Sequence, residues 1–328
     1  MRLKNNPCKR ILIISLSNIG DAFLTAPVVQ VVRNAFPSAE MSLLVGEGAK
    51  EVFAGDPRLQ EILPYDKKAT FWEKWRFLQS LRKRKFDLVV DLRHSLFPVL
   101  LGAPFHTPLF KQAPREILHK MDRHLWKVSA IGVPVEDWQK GDTLWIRPES
   151  EEKVRKWLET FGLRRNDPFI LLSPGSKSEL KRWKASAFAA FSDRLRREKR
   201  IPVIFIGEES DTPFAESITS LMKEPFHSLV GGTSLADLVA LIRAARLLVT
   251  NDSASLHVGS LVGTPTVAIF GPTDPKKYGP RSERNRVVRK DLFCSPCEKA
   301  RCPYHHECME LLPSEEVYEA CSELLKTP

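Results

Sequence analysis

Short runs of branched apolar residues alternate along this chain with longer amphipathic segments, and that alternation predicts a parallel α/β fold. In the first half, residues 11–16, 41–45 and 86–91 have the length and composition of buried strands, with a weaker strand at 61–63. Helices are expected from the Gly20 turn to about Phe36, near 49–54, over 71–85 and around 121–131, and an extended piece at 143–146 closes this half. The pattern then restarts. Strands are expected at 169–172, 202–206, 228–230, 246–250 and 266–270, with helices at 185–197, 213–222, 235–245, 253–262 and 314–325. A charged helix over 148–162 reads as the connection between the halves. The expected architecture is two Rossmann-like, doubly wound domains facing across a cleft, 1–160 and 161–313.

Composition changes this picture little. A chain of 328 residues exceeds one usual core, as two domains require. Its formal net charge of +10 suits acidic partners (phosphates, nucleic acid or an anionic membrane surface) without choosing among them. The basic runs lack interleaved aromatics, which argues against nucleic acid. The polar start, the brevity of the 11–16 run and the breaks at Pro98, Pro104 and Pro108 predict neither a signal peptide nor a spanning helix. The expected location is cytoplasmic, with a peripheral position on the inner membrane as an option. No G-x-G-x-x-G follows the first strand and no G-x-x-x-x-G-K-[ST] occurs, which argues against a nicotinamide dehydrogenase and a P-loop enzyme.

The candidate chemistry lies where strands end. Asn251, Asp252 and Ser253 join a strand to a helix that opens at Ala254 and carries His257. Helix starts at such places offer N–H groups to anions, although an ordinary Asp/Ser cap would use the same residues. The Ser173-Pro174-Gly175-Ser176 loop, Lys181 and the Gly271-Pro272-Thr273-Asp274 turn belong to the same half and describe a diphosphate site built of amides and a cation. Glu208, after another strand, is a candidate ribose or adenine contact. In the first half Asp21 follows Gly20 at a strand end, either as a helix-dipole carboxylate or as a general base.

Read together, these pieces are similar to the heptosyltransferases of glycosyltransferase family nine, of the second-heptose type. The matching stretches are Ser17-Asn-Ile-Gly-Asp21 with Thr25-Ala-Pro27, Asp56-Pro57, Asp91-Leu-Arg93, Ser173-Pro-Gly-Ser176, Lys181-Arg-Trp183, Asn251-Asp-Ser253 with His257, and Gly271-Pro-Thr-Asp-Pro275. They span almost the whole chain. The resemblance implies a GT-B fold, with the acceptor on the first domain, the nucleotide sugar on the second, and a last helix (314–328) packing back on the first. It implies inverting transfer of heptose from ADP-heptose to the lipid A–Kdo inner core of lipopolysaccharide, without cofactor or metal. Asp21 would be the base and Lys181 would stabilise the leaving diphosphate. Ser176, Asp252, Ser253, Ala254, His257 and Thr273 would hold the donor. Ala254 departs from the family's usual glycine, narrowing the approach to its amide. Arg93, His94, Lys111, Arg115, Lys120, Arg123 and His124 form a basic stretch suited to an anionic acceptor, Arg93 foremost. Competing readings are another GT-B nucleotide-sugar enzyme, such as an epimerase, and a basic binding module.

Four of the six cysteines cluster as Cys294, Cys297, Cys302 and Cys308, near His305 and His306. The residue types suit zinc, but the later spacing is irregular, so structural thiols are favoured over a metal.

Overall fold

The structure, a computed structural model, describes residues 8–15, 18–136, 138 and 143–326. It divides into two compact units, Met1–Trp145 and Ile146–Pro328.

The first unit holds strands β1 (Arg10–Ile14), β2 (Glu40–Gly46), β3 (Glu61–Tyr65), β4 (Leu88–Asp91) and β5 (Phe105–His106), in the order β3-β2-β1-β4-β5 and all parallel. The four inner residues of β1 are fully buried, because helices cover both faces of a parallel sheet. Leu12, Ile14, Leu44 and Val89 pack with Leu81, Phe86 and Leu101 from the covering elements. The expected single helix over 20–36 is two, Ile19–Phe23 and Ala26–Ala35. Pro27 can open a helix but not continue one, and the Thr25 hydroxyl at the break bonds Ser15 Oγ at 2.7 Å.

The second unit repeats the scheme with β6 (Ile170–Ser173), β7 (Val203–Phe205), β8 (His227–Ser228), β9 (Leu247–Asn251), β10 (Thr266–Phe270) and β11 (Asn285–Arg289), ordered β11-β10-β9-β6-β7-β8 and parallel throughout. Each sheet therefore has a switch point, between β1 and β4 and between β6 and β9, where ligands bind at the strands' carboxyl ends. The Ala254–Val262 helix lies flush on its sheet through Gly259, where a Cβ would stand 2.7 Å from Thr266 Oγ1 and 2.8 Å from Leu248 Cδ2.

Two boundaries differ from expectation. The Pro148–Thr160 helix belongs to the second unit: Val154 and Leu158 are buried, and Lys153 pairs with Asp237 at 2.6 Å. The Ser314–Lys326 helix places Val317, Tyr318, Cys321 and Leu324 in the second unit's core with Trp183, whose Nε1 donates to the Leu312 carbonyl at 3.0 Å. Its apolar face is thus engaged within the second unit. Among the described residues, no helix is long and apolar enough to cross a membrane.

Candidate active site

In the second unit, pairing of β6 with β9 and of β9 with β10 sets three loops side by side at one edge. These are Ser173–Ser176, Asn251–Ser253 and Gly271–Asp274. Their polar groups interlock. Asn251 donates to the Pro174 carbonyl at 2.6 Å and accepts from the Trp183 amide at 3.3 Å. Ser176 Oγ donates to the Asp252 carbonyl at 3.2 Å, and Ser173 Oγ bonds Ser255 Oγ at 2.9 Å. Lys181 donates to Asp252 Oδ2 at 2.8 Å. The Asp252 side chain is 6% exposed, so this pair fixes an ammonium at the start of a helix rather than leaving it on a free stem.

The helix start is open to an anion. Ser253 holds the N-cap position in extended backbone (φ −145°, ψ −179°), yet its side chain makes no cap bond. Its hydroxyl lies 3.0 Å from Thr250 Oγ1 instead. The amides from Ala254 onward are therefore not capped by that side chain, and they carry the positive end of the helix dipole. Thr273 adds a further unmet group: its Oγ1 is buried without a hydrogen-bond partner. His257 is buried one turn into the same helix.

In the first unit, Asp21 sits in the first turn of the Ile19–Phe23 helix and pairs with Lys120 at 2.5 Å. Asn18 Nδ2 donates to its other oxygen at 3.4 Å. Asp91 closes the loop after β4 by accepting the Arg93 and Ser95 amides at 2.8 and 2.5 Å. The Arg93 guanidinium stands 5.5 Å from the Tyr65 ring centre.

The glycosyltransferase family 9 (heptosyltransferase) model matches residues 74–307. The chain belongs to that family. Among its relatives, the lipooligosaccharide heptosyltransferase 2 of Campylobacter jejuni (serotype O:6, strain 81116) is 33% identical, over 93% of this chain and 96% of that one. A family 9 glycosyl transferase structure from Veillonella parvula is 24% identical, with a TM-score of 0.85 over the whole of both chains. The structure of the E. coli ADP-heptose lipopolysaccharide heptosyltransferase II has a TM-score of 0.76 at 22% identity, covering 97% of this chain and 98% of that one. The fold class is GT-B, as the paired Rossmann-like sheets require, and the chain is a glycosyltransferase.

Most of the expected donor residues share one edge. Ser176, Lys181, Asp252, Ser253, Ala254 and Thr273 gather along the three adjoining loops of the second unit. Glu208 is engaged in its own loop, where its carboxylate accepts the Asp211 amide in a reciprocal cap. Ser17 of the expected first motif lies outside the described residues. The basic stretch after β4 divides. Lys120 holds Asp21, and Lys111 stands 5.8 Å from the Trp126 ring centre. His124 is buried at the Leu24 carbonyl, and burial pushes its imidazole down to about 4, so it is neutral rather than part of a cationic lining. Lys127, buried against the Asp91 carbonyl, is pushed down by burial to about 8.

Sequence reasoning missed Lys120 as the partner of Asp21. It also missed Asp211, which bonds Arg182 at 3.4 Å and leaves no room for a Cβ on Gly175. Arg182 in turn donates to the Ser176 carbonyl at 3.0 Å, so Asp211 braces the Ser173–Ser176 loop. The cysteine segment buttresses the third loop: the Cys297 amide donates to the Pro272 carbonyl, and Ser295 Oγ to the Gly271 carbonyl. All six thiols are free. Burial, followed by the nearby Cys302, Cys294 and Cys297, pushes the Cys308 thiol up to about 11. Among the described residues, no group of three His, Cys, Asp or Glu side chains is arranged to hold a metal ion.

Proposed function

We propose that this protein transfers heptose, with inversion, from ADP-heptose to the lipid A–Kdo inner core of lipopolysaccharide. The relative's name supports the heptose and a lipooligosaccharide acceptor, and the E. coli structure's name supports the ADP-linked donor and lipopolysaccharide. The observation that carries the reading is the edge of the second sheet. There a lysine fixed by a buried carboxylate, a helix start uncapped by its own serine, and an unpartnered threonine hydroxyl belong to adjoining loops. Such an edge binds a diphosphate and stabilises it as it leaves, because fixed dipoles and a held cation need no reorganisation when charge develops.

In the reaction, the acceptor hydroxyl oxygen attacks the anomeric carbon of the donor while the bond from that carbon to the diphosphate breaks. The proton passes to the Asp21 carboxylate, and the negative charge appears on ADP beside Lys181, the Ala254 amide and Thr273. Lys120 stays with Asp21 and holds the carboxylate in register. Asp252 acts through Lys181. Arg93, at the carboxyl end of β4, meets anionic groups of the acceptor.

The deciding experiment is Asp21→Ala assayed for heptose transfer and, separately, for ADP binding by calorimetry. Transfer should be lost, by about two orders of magnitude or more, while ADP binding stays at the wild-type level. An Asp21→Ala protein that still transfers at the wild-type rate would overturn the mechanism.

A further inference from the structure

Large apolar side chains are exposed on two neighbouring helices of the first unit. On Phe71–Lys83, Phe71 is 72% and Trp72 69% exposed, with Trp75 beside them. On Phe97–Leu101, Leu96 at the N-cap and Val99 are each 58% exposed, and Leu100 adjoins them. Folding leaves about half or more of each of these six residues in water, and isolated soluble domains avoid large contiguous apolar patches. Both helices follow a parallel strand, β3 or β4, so both begin at the sheet edge that carries Asp21 and Arg93.

The patch is rigid and ringed by positive charge. A reciprocal cap between Thr70 and Glu73 fixes the first turn, and Phe71 and Trp72 meet edge to face at 5.5 Å. The segment 66–85 carries eight basic residues against Asp66 and Glu73. Both acids are engaged locally: Asp66 accepts the Lys68 amide at 2.7 Å, and Glu73 accepts from Thr70. Lys67, Lys68 and Arg76 remain exposed around the aromatics, so this stretch does interleave basic and aromatic residues, contrary to the expectation for the basic runs. Aromatic centres with polar rims also occur at protein–protein interfaces, but an excess of one sign of charge around them favours the boundary of an anionic bilayer.

The patch is also joined to the candidate acceptor site. Tyr65 packs on Phe77 of one helix at 6.1 Å and on Phe97 of the other at 5.8 Å, and its ring lies 5.5 Å from the Arg93 guanidinium.

We infer that this aromatic and basic surface docks the first unit on an anionic lipid bilayer, setting Arg93 and Asp21 at the level of the acceptor's headgroup. The inference deepens the proposed function, since it rests on a lipid-linked acceptor. The test uses the full chain with Phe71→Ser, Trp72→Ser and Trp75→Ser combined. Phe71 and Trp72 are largely in solvent and Trp75 is about half exposed, so the unfolding midpoint should fall only slightly and the variant should stay folded. Wild-type protein should co-sediment with vesicles of phosphatidylethanolamine and phosphatidylglycerol, and less with phosphatidylcholine alone. The triple variant's partitioning should fall about tenfold or more. Its transfer to a deacylated, water-soluble acceptor should match wild type, while transfer to acceptor embedded in vesicles should drop with the partitioning. Unchanged vesicle binding overturns the inference, as does a variant whose only change is a smaller assembly on size exclusion, which would make the patch an interface between copies. If neither protein transfers to the soluble acceptor, the proposed function fails, and the vesicle result alone still decides the docking.

Discussion

Thr273 is, among the described residues, the candidate site residue whose needs the protein itself does not meet. Its buried hydroxyl has no partner, and an unmet buried hydroxyl costs about 1–3 kcal/mol. A phosphate oxygen of the donor would accept from it, so the cost is recovered on binding. Thr273→Val keeps the shape and deletes the group. Its unfolding midpoint should equal or exceed that of wild type, and its ADP affinity by calorimetry should fall about tenfold, the worth of one charge-assisted hydrogen bond. A variant that binds ADP as tightly as wild type would remove Thr273 from the site. This threonine, like Asp21, Lys181 and Ser253, could be named as a candidate from the sequence because each stands beside a local signal: a strand end, a glycine turn or a helix start. The pairing of Lys120 with Asp21 and the part played by Asp211 were not legible. Lys120 reaches Asp21 across 99 positions and Arg182 reaches Asp211 across 29, and no spacing rule foretells such pairs.

At the scale of elements, the Lys120–Ser129 helix shows where composition misleads. Its Lys120, Arg123 and His124 read as part of a basic lining, yet helical spacing turns His124 inward, together with Lys127, to join Met121, Leu125 and Val128. The buried imidazole titrates at about 4 instead of its ordinary 6.5, with burial as the main cause. A base whose folded value is depressed is neutral in the fold while the unfolded chain takes up a proton. Stability is therefore fully present above about 6.5 and is lost as pH falls from there toward 4, by at most about 1.4 kcal/mol per pH unit. Urea unfolding of wild type and His124→Asn across this window should show a shallower acid slope for the variant, whatever its stability at neutral pH. Equal slopes would mean that other groups carry the acid sensitivity.

At the scale of the whole molecule, the repeated parallel scheme was readable because parallel strands buried on both faces leave unbroken apolar runs. What escaped was short or charged. The two-residue β5 and the half-exposed β11 lack such runs. The Pro148–Thr160 helix buries only Ser150, Val154 and Leu158, so its charged majority resembles a linker although it packs within the second unit. With that helix and the Ser314–Lys326 helix both inside it, the second unit contains a complete sheet, its own core around Trp183 and every loop of the diphosphate edge. Residues 146–328 expressed alone should therefore unfold in one cooperative step and bind ADP within about threefold of the full chain, as an autonomous domain does. They should transfer no heptose, since Asp21 is gone. Calorimetry with ADP and chemical denaturation of this piece check both statements. A piece that folds but does not bind ADP would mean that the donor site needs groups from the first unit, and one that does not fold would refute the independence of the second core.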